Sequence, residues 1–425
     1  MPNESGVPLP RDTSVLAAEL RQQLFRSPPH RRLIGAEVEV LPLDRATGQP
    51  VPLTAAERPS SLGVVREAGT RAGWKEHCSA KGTPCFALPD GGTITFEPGG
   101  QIEYSSPPCD SVTVLLSHLR ATNAALIEAG DRLDVELAAL GIHPDTRAHD
   151  VPMQLRAPRY ERMAEYFETI GPHGARMMRQ TASFQVSVDL DADADLRWRV
   201  LNAAAPHLTA IFANSARYAG ADSSCRSVRA DCWRKLDPAR TGIFDSGDPA
   251  CTYLGFALAA PMMMLGSPDE GYPTFRDALR SGRLTSEDFE IHLSTLFPDV
   301  RPRGYLEVRA MDAIPEGWYA APLALVAGIT YDHDALLDAI DLLGEADDAL
   351  LIRAGREGLR DPALATAAIS LFEIALRGCE SLGERFFARP ELERARDYFA
   401  AYTSRGRSPA DDVPASTGRR SASVT

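Results

Sequence analysis

The chain's 425 residues contain no apolar run approaching the ~20 needed to span a bilayer, so no membrane partner is expected. The N-terminus lacks the basic, apolar and small-residue order of a secretory signal, and a cytoplasmic setting is expected. None of the seven cysteines form a C-x-x-C pair and their number is odd, which reads as free thiols rather than a disulfide framework. His77, Cys78 and Cys85 make at most half a zinc site. There is no G-x-x-x-x-G-K-[ST] loop, so a nucleotide would not be held in the P-loop manner. A G-x-G-x-x-G after a strand, a G-x-S-x-G elbow and an H-E-x-x-H helix are absent too. Positive charge is in short supply: 45 Lys and Arg against 58 Asp and Glu leave a net charge of −13. That argues against nucleic acid as the main partner but leaves room for a basic pocket.

What is present is an ordinary globular composition, 44% hydrophobic and 24% charged. Hydrophobic periodicity predicts helices over about 13–26, 64–72, 110–141, 159–169 and 194–214, and a largely helical region from Trp318 to Ala401. Strands are expected in "RRLIGAEVEVLPLD", on either side of the turn in "FEPGGQIEYS", in "TASFQVSVDLD" and in "GYLEVRAMD". Each strand alternates. Val38 and Val40 oppose Glu37 and Glu39; Phe184, Val186 and Val188 oppose Ser183, Gln185 and Ser187; Leu306 and Val308 oppose Tyr305, Glu307 and Arg309. One face can pack under amphipathic helices and the other cannot be buried. The expected fold is therefore α+β, a curved antiparallel sheet with helices behind it and an open acidic face in front. Residues 1–11 are expected to be flexible, 12–403 to form one catalytic domain that is helical from about 318, and 404–425 to be disordered.

The open face carries the chemistry. Glu37, Glu39, Glu97, Glu103 and Glu307 would gather there, and five carboxylates in one cleft repel one another unless cations lie between them. Hard divalent cations with oxygen ligands suit such a set, and magnesium keeps positions for phosphate oxygens. Glu37 and Glu39, roughly 7 Å apart along a strand, would serve two neighbouring metals. The opposite charge comes from "SVRADCWRKLDPARTG". Arg229 and Trp233, four apart on a helix, form a clamp for a substrate carboxylate. Arg309 would touch a transferring phosphate or form a structural ion pair, and with Arg240 is assigned to the nucleotide; Glu307 and Arg309 are the candidate catalytic pair. Arg301 and Arg303 read as solvated. His292 and the "APMMM" stretch read as packing.

Taken in order, "GAEVE", "FEPGGQIEYSSPP", "MMRQTASFQVSVD", "RADCWRKLDPARTG", "APMMM" and "LFPDVRPRGYLEVRAMDAIP" resemble the plant-type glutamate–cysteine ligases, including their bacterial branch that serves ergothioneine synthesis. The resemblance runs over roughly 32–345. It implies a glutamine-synthetase-like fold and an activity in which ATP phosphorylates the γ-carboxylate of glutamate and cysteine attacks the acyl phosphate. It further implies that the five glutamates hold magnesium, that Arg229 and Trp233 bind glutamate, and that Arg309 lies near the transferred phosphate. Ser187 stands where the family often has asparagine, and Ala182 where plant members carry a cysteine, so their thiol switch is not carried over. Two alternatives stay open on sequence: a relative joining a different acid or amine, and a non-catalytic ATP-binding relative.

Overall fold

The computed structural model describes residues 7–26, 32–56, 59–79 and 82–412. Its centre is an antiparallel sheet of nine strands among the described residues. These are β1 (Ile34–Asp44), β2 (Lys75–Cys78), β3 (Pro84–Ala87), β4 (Thr93–Phe96), β5 (Ile102–Ser105), β6 (Val135–Ala138), β7 (Ser183–Val188), β10 (Val300–Pro302) and β11 (Leu306–Asp312). A separate two-stranded ribbon joins β8 (Arg217–Tyr218) to β9 (Ala221–Asp222). The sheet runs β10-β11-β7-β1-β5-β4-β3-β2, with β6 on the far half of β1.

The helices are α1 (Thr13–Leu24), α2 (Ser61–Ala72), α3 (Val112–Arg132), α4 (Pro158–Glu168), α5 (His173–Gln180), α6 (Ala194–Ile211), α7 (Val228–Arg234) and α8 (Pro249–Ala259). They continue with α9 (Phe275–Ser281), α10 (Ser286–Leu293), α11 (Ala320–Tyr331), α12 (His333–Leu343), α13 (Asp348–Glu357), α14 (Pro362–Leu382) and α15 (Arg389–Ala401). The predicted alternation places the core. Val38, Val40, Phe184, Val186, Val188, Leu306 and Val308 are buried in one cluster with Leu115, Leu116, Leu119 and Leu126 of α3. α11 is apolar all round and buried along its whole length, because it lies between β7 on one side and α14 and α15 on the other. The fold class agrees with the sequence reading: helices behind, one face of the sheet left open.

Three expectations need correction. The long helix from 110 stops at Arg132; Asp134 takes a left-handed φ of 54°, and Val135–Ala138 turn back as β6 against Leu41–Asp44. β5 pairs only as far as Val40, so the far half of β1 needed another partner, and the leucine spacing that suits a helix also serves this strand. The N-terminus is not loose throughout: Leu9 is buried, and its N–H donates to the Leu284 carbonyl. Residues 404–412 fold back, with Ala410 N–H donating to the Ala213 carbonyl; 413–425 lie outside the described residues. α14 passes a length and hydropathy criterion for a membrane span, but half of its most apolar stretch is buried inside the fold, as in a core helix.

Candidate active site

The open face of β1 presents Glu37 and Glu39, and the register sets Glu39 directly opposite Glu103 on β5. Glu97 follows β4 at the turn "EPGGQ", which must approach its neighbours at backbone distance. Gly100 has a φ of 91°, and a Cβ at Gly99 would run into the Arg179 carbonyl. Gly99 N–H donates to Gln101 Oε1 (2.9 Å), Gln101 Nε2 to the Thr181 carbonyl (3.0 Å), and Gln154 Nε2 to the Gly99 carbonyl (2.8 Å). Glu37, Glu39, Glu97 and Glu103 thereby line one cavity of about 590 Å³.

Burial raises all four carboxyls, and repulsion between neighbouring carboxylates adds to it at Glu37, Glu97 and Glu103. Glu37 is pushed up to about 8, by burial first and then by Glu103 and Glu307. Glu97 is raised well above the usual carboxylate range, by burial first and then by Glu103, Glu39 and Glu37. Glu39 and Glu103 are raised chiefly by burial, against the hydrogen bonds that Ser183 and Thr95 donate to them. A divalent cation bound among these carboxyls would displace their protons and offset the repulsion. Among the described residues, no three Asp, Glu, His or Cys side chains are gathered tightly enough to enclose a metal alone. The donor set suits a hard cation that completes its shell with water or phosphate oxygens.

Arg229, Trp233, Arg309, Arg301, Arg303 and Arg159 line the same cavity. The Arg229 and Arg309 guanidiniums lie 5.6 and 5.9 Å from the centre of the Trp233 ring. Arg229 Nη2 donates to the Arg309 carbonyl (2.8 Å), while Trp233 Nε1 is buried without an acceptor. Arg309 Nη1 donates to Gln185 Oε1 (2.7 Å), and Gln185 Nε2 donates to Glu39 Oε1 (3.2 Å). Gln185 therefore joins the cationic wall to the acidic one.

Two predicted residues lie elsewhere. Glu307 is fully buried behind the arginines and does not line the cavity. Its Oε2 accepts from Arg301 Nε (2.6 Å) and Arg309 Nη1 (2.9 Å), and its Oε1 from Arg301 Nη2 (3.1 Å). Burial alone would raise its pKa, but Arg301 and Arg309 outweigh that and hold it at about 2. Both oxygens are engaged, so Glu307 orients arginines here instead of joining the open acids. Arg240 is also fully buried away from the cavity. It donates to the Thr295 hydroxyl (2.9 Å) and the Pro261 carbonyl, pairs with Asp237 (3.0 Å) and stacks on Tyr166 (4.8 Å). A side chain so enclosed ties the end of α10 to the segment before Met262 and does not face the cavity.

Sequence reasoning left out Gln185 and Arg159, and it read Arg301 as solvated where the side chain is largely buried against Glu307. Gln185 had a signal, since it stands on the polar face of an alternating strand. Arg301 had one only through pairing, because the register sets it opposite Glu307. Arg159, whose Nη2 donates to the Ser294 carbonyl (2.7 Å), had none. The sulfur- and ring-bearing wall of Met163, Met177, Met178 and Phe297 also reaches the cavity.

A sequence profile described as glutamate-cysteine ligase family 2 matches residues 33–420. The chain belongs to this family. Among relatives within glutamate-cysteine ligase family 2, the glutamate–cysteine ligase EgtA of Mycolicibacterium smegmatis is 35% identical over 343 residues, 76% of this chain and 78% of that one. EgtA of Mycobacterium tuberculosis is 34% identical over 357 residues. The chloroplastic glutamate–cysteine ligase of Medicago truncatula is 32% identical over 321 residues and is covered over 62% of its length. A solved glutamate–cysteine ligase of Francisella tularensis, in complex with AMP, superposes on 92% of this chain and 85% of its own with a TM-score of 0.54 at 14% identity. The chain shares the fold of that solved ligase.

Proposed function

We propose that the chain is an ATP- and magnesium-dependent glutamate–cysteine ligase. One observation carries this reading: a single cavity sets four carboxylates on the sheet's open face against arginines and a tryptophan. The reaction would transfer the γ-phosphoryl of ATP to the side-chain carboxylate of glutamate, releasing ADP. The amine of cysteine would then attack the acyl phosphate, lose a proton and expel phosphate, leaving γ-glutamylcysteine for low-molecular-weight thiol synthesis, of glutathione or ergothioneine.

Glu37, Glu39, Glu97 and Glu103 would hold magnesium, which supplies charge neutralisation between the phosphates and the acyl group. Arg229 would pair with a glutamate carboxylate while the Trp233 ring covers it, which suits the unpartnered Trp233 Nε1–H. Arg309, held in place by Glu307 and Gln185, would offer its charge to the phosphoryl group in transfer. Ser183 and Gln185 orient Glu39 through three hydrogen bonds. No side chain is assigned as a strong general base; positioning of the cysteine amine is the main remaining contribution. The seven cysteines are all unpaired, in keeping with the expected cytoplasmic setting.

The test is ADP release from purified protein with ATP and magnesium. It should require both glutamate and cysteine. Release indifferent to glutamate would remove the assignment, and a better amine than cysteine would favour a ligase with another second substrate.

A further inference from the structure

We propose that Asp312 is a positioning residue for substrate glutamate, acting through Arg229; this rests on the reading of Arg229 given above. Asp312 ends β11 and is fully buried. Strict alternation after Glu307 and Arg309 would turn Met311 to the polar side. Instead a bulge lies between Val308 and Met311, so Met311 pairs with Phe184 in the core and Asp312 pairs with Ser183 on the polar side. The bulge re-aims a carboxylate that the sequence pattern assigns to the apolar face.

That carboxylate gathers three segments. Its Oδ2 accepts the Asn214 N–H (2.8 Å) and the Ser215 hydroxyl (2.6 Å) beyond the end of α6. Its Oδ1 accepts the Ser227 hydroxyl (2.9 Å) and lies 3.9 Å from Arg229 Nη1. Ser227 is the N-cap of α7, and its Oγ in turn accepts the Ala230 N–H (2.9 Å). Ser215 Oγ also accepts the Arg229 N–H (3.3 Å). α7 has only seven residues, so its cap does much to set its direction, and it carries both Arg229 and Trp233. Gly141 completes the arrangement: a Cβ there would collide with the Asp312 carboxylate.

The electrostatics agree. Burial pushes the Arg229 guanidinium down, and Asp312 and then Glu39 push it back. Asp312 stands 3.9 Å off and makes no hydrogen bond to the guanidinium, so it supports the charge without capping it.

The experiment measures KM for glutamate, cysteine and ATP, with kcat, in Asp312→Asn, Arg229→Lys and the double variant, after melting curves establish that each is folded. Expected is a rise of about tenfold or more in glutamate KM for Asp312→Asn, with cysteine and ATP KM within about twofold and kcat less affected. The double variant should be no worse for glutamate than Arg229→Lys alone, since both act on one group. Equal rises in all three KM values, an unmoved glutamate KM, or multiplying effects in the double variant would overturn the inference. If Asp312→Asn does not fold, Ser215→Ala removes one donor to the carboxylate and should raise glutamate KM selectively by about two- to threefold; no rise overturns it. Should Arg229→Lys itself leave glutamate KM unchanged, the assignment of Arg229 fails, a result distinct from failure at Asp312 alone.

Discussion

Single residues divide by whether they face the cavity. Glu39 and Glu103 are opposed across a strand pair and both face it, so their loss should remove cation binding and leave the core untouched. Glu39→Gln and Glu103→Ala are expected to lower kcat by about 10²-fold or more while the melting temperature stays near wild type. Near-normal turnover in either variant would dismantle the metal assignment. Arg240 was expected at the nucleotide and is instead enclosed by Thr295, Pro261, Asp237 and Tyr166. Arg240→Met should destabilise the protein by about 3–5 kcal/mol, because Asp237 is left buried without its cationic partner. ATP KM in the remaining folded enzyme should hardly change; a large rise in it with unchanged stability would restore the nucleotide role. The difference between the two cases was invisible in the residue types, since an arginine in a basic segment reads the same way whether it faces a ligand or a carbonyl.

At the scale of elements, the hairpin and its turn decide where Glu97 stands. The Pro-Gly-Gly turn was legible because only small residues fit so tight a reversal. What the turn touches was not, since Arg179 lies far along the chain. Gly99→Ala should cost about 1–3 kcal/mol through its contact with the Arg179 carbonyl and depress magnesium-dependent turnover with it. A variant of full activity and unchanged denaturant midpoint would show that the turn yields freely. The misjudged elements share one cause. α3 ends early and β11 bulges because a neighbouring strand or helix competes with the local period, and periodicity carries no information about neighbours.

Across the whole molecule the cavity stores repulsion. Glu37 ordinarily titrates near 4.5 and in the folded chain near 8, so between these values the folded state holds a proton that the unfolded state has released. Stability of the metal-free protein must therefore fall as pH rises through this window and level off above it. Glu37→Gln should flatten that slope, melting higher than wild type at about pH 8 in chelator and nearly equal to it at about pH 5. Identical pH profiles for the two proteins would refute this account. Magnesium should recover the lost stability at high pH, and its binding at pH values within the window should release protons, which calorimetry in buffers of different ionisation enthalpy detects.

The alternating strands that carry the site, their apolar face and the polar face on which Glu37, Glu39, Glu97 and Glu103 were expected to meet were legible in the sequence alone, because alternation and turn chemistry are local properties of a chain. Tertiary structure decided which charges pair with each other: it took Glu307 and Arg240 out of the open site, brought Gln185 and Arg159 in, and turned Asp312 toward Arg229 through a bulge. Those outcomes depend on register and on burial, and both arise only when distant segments meet.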